Sequence, residues 1–117
     1  MPNDSLDLMK KIVQEAGRRL RQVDEKIAAQ DWVSANALIK KGFEVFGNCY
    51  FSPQLLDDTG MVLVMAAFNE RNDPGQAVLT RRNVLKDRYT LLQEKIHRLE
   101  EEMGLHLNEE SVNGEST

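Results

Sequence analysis

Few residues of this chain combine a reactive type with a useful spacing. Glu94 and His97 form one Glu-x-x-His unit, which di-iron helical bundles use to hold metal from one helix face. Such a site needs a second unit and two more inward glutamates, and the sequence supplies neither, so His97 is expected to be a solvated surface histidine. His106, near the C-terminus, is expected to be the same. Cys49 would need a neighbouring base or a positive helix end to become a thiolate nucleophile. No histidine lies near it, and its setting beside Tyr50 and Phe51 suggests a packed thiol. Asp57 and Asp58 point about 100° apart on a helix, and a first-turn acid favouring the helix dipole accounts for Asp57. No glycine-rich phosphate loop, Cys-x-x-Cys or Gly-x-Ser-x-Gly occurs. No catalytic residue, metal site or cofactor is expected.

Basic residues form the other candidate site. Arg81, Arg82, Lys86 and Arg88 cluster near the start of the last long amphipathic stretch, and Lys10, Lys11, Arg18, Arg19 and Arg21 lie on the first. Arg18, Arg19, Arg81, Arg82, Lys86 and Arg88 are the residues a nucleic-acid-binding regulator would use. The net charge of −4 opposes phosphate contact. That charge is uneven: six of the 19 acids lie from Glu100 onward with no Lys or Arg among them, so the preceding body is close to neutral.

These groups must be carried by helices. At 117 residues, 41% apolar and 29% charged, the chain reads as one soluble domain. A single cysteine precludes an internal disulfide and suits a reducing compartment. Residues 1 to 20 carry charges throughout and read as neither a secretory signal nor a transit peptide, so a cytoplasmic location is expected.

From Asp4 or Ser5, apolar residues recur at Leu6, Met9, Val13, Ala16, Leu20, Val23 and Ile27, one face of a helix. Gly17 weakens that helix by about 1 kcal/mol, which a close approach of another backbone would explain. Asp31 caps a second helix, 32 to 46, whose wide face of Trp32, Ala35, Leu38, Ile39, Gly42, Phe43 and Phe46 suggests a central position; Gly47 ends it. Ser52-Pro53 opens a third helix running to about Glu70. Its segment Met61 to Phe68 is apolar nearly all round, and a strand competes there; the absence of a second strand to pair with it favours a buried helix. Aromatic residues at helical spacing are expected in the core, with Tyr50 and Phe51 in the connection as candidates for partial exposure.

The last helix, 74 to 103, opens on Asp73-Pro74 and stops at Gly104. Leu85, Tyr89, Leu92, Ile96, Leu99 and Met103 fall on one narrow stripe in alternating steps of four and three, a coiled-coil seam. The expected fold is all-α, a four-helix up-down bundle or a pair of helical hairpins with long first and last helices. Residues 1 to 104 form the domain and 105 to 117 a flexible acidic tail. The outer helices exceed the middle pair by roughly 10 residues, or about 15 Å. Either they zip to each other beyond the core or the overhanging seam takes a partner.

The stretch Gln30-Asp31-Trp32-Val33-Ser34-Ala35, running on to Ile39, Gly42 and Gly47, resembles the second helix of a tetratricopeptide repeat over about 18 residues. Arg19, Gln22 and Lys26 depart from that family's preceding helix, and the second hairpin restarts 42 residues later rather than about 34. A long first helix, a break at Asp-Trp and a second helix is also similar to the layout of flagellar export chaperones of the FliT kind, over about the first 46 residues. Both resemblances imply helical proteins that bind other proteins. The expectation is a non-enzymatic interaction module, an adaptor, small chaperone or regulatory subunit. It would bind another protein or its own copy through Leu85, Tyr89, Leu92, Ile96, Leu99 and Met103, with no membrane and no small-molecule substrate.

Overall fold

A computed structural model describes residues 4–47 and 50–104. It contains α1 (Asp4–Ala28), α2 (Trp32–Phe46), α3 (Pro53–Asn69) and α4 (Pro74–Glu102), with no strand among the described residues. The segment that might have been extended is therefore helical, inside α3. Helix starts follow the local chemistry: Asp31 accepts a hydrogen bond from the Ser34 amide at 3.1 Å, Ser52 from Leu55 at 3.1 Å and Asp73 from Gln76 at 3.0 Å. Pro53 and Pro74 fill first-turn positions that need no N–H donor. Gly47 stops α2 at φ 60°, its N–H donating to the Phe43 carbonyl at 3.1 Å.

The helices run up, down, up, down, and α1 lies antiparallel along α4. Ion pairs mark both ends of that pairing, Arg82 Nε to Asp24 Oδ1 at 2.9 Å and Lys10 Nζ to Glu100 Oε2 at 2.6 Å. Between them the Tyr89 ring covers Gly17, so a side chain rather than a backbone explains that glycine. The outer helices thus use their length on each other. The particle is elongated, 59 × 31 × 23 Å.

The centre differs from expectation. α4, not α2, is the element packed against all three others. Trp32 covers Gly75, and Gly42 admits Leu85, so α2 lies parallel to α4 while also closing the hairpin with α1. The core is a three-helix assembly in which Leu6, Met9, Ala16, Leu20 and Val23 meet Ala35, Ile39, Phe46, Val78, Leu85, Leu92 and Ile96.

The expectation of a buried α3 is corrected. α3 packs on α4, and among its residues Ala66 alone is buried. α2 has turned its face to α1 and α4, so among the described residues nothing covers the outer side of α3. No helix among the described residues is long and apolar enough to cross a membrane.

Candidate functional site

The seam of α4 is occupied by its own chain. Leu85 and Leu92 are fully buried, Ile96 is 8% exposed, and Tyr89 and Leu99 pack partly buried against the core. Met103, at the end of α4, is exposed. α1 provides the second helix that the seam requires, so Leu85, Tyr89, Leu92, Ile96 and Leu99 are packed in the core of this fold.

The basic residues are likewise drawn into the chain. Arg18 and Arg19 both pair with Glu15, and Arg82 grips Asp24 through two hydrogen bonds of 2.9 and 3.1 Å. Arg81 donates to both carboxylate oxygens of Glu70, at 2.9 and 3.0 Å, and to Asn36 Oδ1 at 3.0 Å. This fork holds the Glu70 carboxyl below the usual carboxylate range and raises the Arg81 guanidinium. Lys86 leans over the Tyr89 ring at 5.8 Å.

Arg88 is not on the surface at all. It is 6% exposed, between the Phe43 and Phe51 rings at 4.9 and 5.6 Å, and its Nη2 donates to Thr59 Oγ1 at 2.9 Å. Its Nε finds no hydrogen-bond partner among the described residues, and burial lowers the guanidinium pKa. Of the two cationic stretches, Arg21 on α1 meets Arg82 and Lys86 on α4 around one small pocket that also holds Asp24, while Arg81 and Arg88 are engaged elsewhere.

His97 is solvated, with Nε2 3.1 Å from Glu101, and no cluster of three or more potential metal ligands exists among the described residues. Asp57 and Asp58 are exposed at the start of α3. Cys49, His106 and the acidic tail lie outside the described residues.

What the structure leaves open is α3. At about 100° per residue, the face opposite Ala66 carries Met61, Val64 and Phe68 with Met65 beside them, and their exposures are 65, 48, 77 and 57%. This is an i, i+3, i+4, i+7 apolar stripe on the outside of a folded chain. Isolated exposed apolar residues are ordinary, whereas a contiguous stripe of four large ones is not. On the flank facing α2, Leu63 lines an open groove of about 690 Å³ with Ile39 and Phe43, and Asn36, Lys40, Glu44, Glu70 and Arg81 supply its polar lining. The Arg81–Glu70–Asn36 cluster ties α2, the end of α3 and α4 together.

Sequence reasoning missed this surface although a signal was present. α3 is apolar nearly all round, and a helix of that kind needs neighbours on every side, more than the three other helices of this chain provide once α1, α2 and α4 have packed together.

The chain matches no known family model, and searches of curated proteins and of solved structures returned no match. The fold defines its class, an all-α helical bundle.

Proposed function

We propose that this protein is a non-enzymatic interaction module that binds an apolar helix face of a protein along α3. The observation that carries the reading is the uncovered stripe of Met61, Val64, Met65 and Phe68, spaced as a helix presents anchors to another helix. Two of the four are methionines, whose flexible thioethers adapt to differently shaped partners. The α2–α3 groove lined by Ile39, Phe43 and Leu63 extends the apolar surface, and the Arg81–Glu70 pair in its lining supplies a polar group for orientation. The pairing of Arg18, Arg19, Arg81 and Arg82 with acids and the burial of Arg88 favour this reading over phosphate recognition.

Selection of helical peptides from a display library against the full chain tests it, with the double variant Met65→Asp, Phe68→Asp as counter-target. Peptides with apolar residues at i, i+3, i+4 and i+7 are expected, and the variant should lose them while keeping its helicity and melting temperature. Binders that the variant retains at full strength would overturn the assignment.

A further inference from the structure

The stripe on α3 has charged ends, and their order carries information about the occupant. Along the face opposite Ala66 the sequence places Asp57, Met61, Val64 and Phe68 in steps of four, three and four, and Arg71 stands three residues further on, in the turn just past the end of α3. An acid stands at one end, a base at the other, and three large apolar residues between them. Asp57 and Arg71 are exposed, and neither makes an ion pair among the described residues. Glu70, the other charge near the C-terminal end, is already engaged by Arg81. The pattern is complementary to itself under a two-fold rotation centred on Val64. Turning a second copy end for end sets Asp57 beside Arg71 of the second copy, Met61 near Phe68, and Val64 against Val64.

The geometry points to antiparallel self-association of α3 with a second copy of this chain, through an isologous interface with Val64 at its two-fold axis. This rests on the reading of α3 as a docking helix and adds the identity of the occupant. Two copies related this way cover each other's apolar stripes and gain two symmetry-equivalent Asp57–Arg71 pairs about 20 Å apart, since each lies roughly seven residues, or about 10 Å, from the axis. The parallel alternative sets Asp57 against Asp57 and Arg71 against Arg71, a like-charge juxtaposition at both ends. An unrelated partner helix has no reason to reproduce the reversed charge order, whereas a second copy brings it automatically.

Sedimentation velocity of the full chain over a concentration series tests the inference. A reversible monomer–dimer equilibrium is expected. Asp57→Arg and Arg71→Asp should each weaken it about tenfold, by replacing two weak attractions with repulsions, and the double reversal should restore it. A second measurement does not depend on charge: with Cys49 replaced by serine, Val64→Cys should form an intermolecular disulfide on mild oxidation, while Val33→Cys, exposed on α2, should not. A chain that stays monomeric, a dimer indifferent to both charge reversals, or equal cross-linking at positions 33 and 64 would overturn self-association. If the chain is monomeric yet the selected peptides still need Met65 and Phe68, the docking role of α3 survives with a different occupant; if that dependence is absent as well, both readings fail.

Discussion

Gly42 of α2 lies directly beneath Leu85 of α4: a methyl group built on the Gly42 Cα would sit 2.7 Å from Leu85 Cδ2 and 3.2 Å from Cδ1. Leu85 is fully buried and cannot swing aside into water. Alanine at position 42 gains about 1 kcal/mol of helix propensity but overpacks the α2–α4 contact, which costs about 1–3 kcal/mol. Gly42→Ala should therefore destabilise the chain by about 1 kcal/mol, read as a lower urea midpoint with unchanged slope. Combining it with Leu85→Ala removes the clash, so the double variant should be more stable than the sum of the single effects predicts.

Arg88 gives an inverted expectation for a conservative change. Its guanidinium has traded water for two aromatic faces and one hydroxyl, without a carboxylate among the described residues. Cation–π contacts of about 1–2 kcal/mol each offset much of that desolvation, and a planar, weakly hydrated group suits the slot. Methionine keeps the volume and removes the buried charge, so Arg88→Met should lie within about 1 kcal/mol of the natural chain. Arg88→Lys leaves a compact, strongly hydrated ammonium in the same apolar slot and should cost more, about 2 kcal/mol or above. Thermal unfolding of the two variants orders them.

The helices, their caps and the α1–α4 seam were legible because each is written locally. Asp31, Ser52 and Asp73 cap where the sequence places them, and steps of three and four mark which face of α4 is covered. The destination of each face was less legible, because it depends on how many helices compete for the same neighbour. α2 carries a wide apolar face, yet the small residues Gly42 and Gly75 draw it onto α4 and leave α3 packed mainly on α4. Leu85, Leu92 and Ile96 read as partner anchors when α1 was one of two possible covers. Arg88 looked cationic and solvated because nothing in the sequence says that Phe43 and Phe51 converge on it.

The Arg81–Glu70 fork predicts a pH dependence with a defined sign. The Glu70 pKa is depressed below 4.5 in the folded chain, first through its hydrogen bonds with Arg81. The stability this contributes is present above the unfolded value and is lost as pH falls through the folded value. Because the Glu70 side chain is more than a third exposed, the effect stays within about 1 kcal/mol. Glu70→Gln should thus be slightly less stable than the natural chain near neutrality, and the two should converge in acid below the folded pKa of Glu70. Urea titrations at several pH values measure that convergence; a gap that widens in acid would contradict it.

Adjacent leucines on α4 separate a core position from an exposed one. Leu92 is fully buried in the α1–α4 contact, while Leu91 is 38% exposed on the same turn. Truncating a buried leucine costs about 2–5 kcal/mol, because the lost transfer energy adds to the cavity left behind; truncating a partly exposed one forfeits only part of the transfer term. Leu92→Ala should therefore lower stability by about 3 kcal/mol and Leu91→Ala by about 1 kcal/mol or less. Leu92→Asp should unfold the chain outright, since an unpaired carboxylate in that position has neither water nor a cation within reach. If Leu92→Asp remained fully helical and merely changed its sedimentation coefficient, the seam would belong to an intermolecular contact instead, and α1 would not be its cover. Denaturant unfolding followed by circular dichroism, with sedimentation at the same protein concentration, decides between the two.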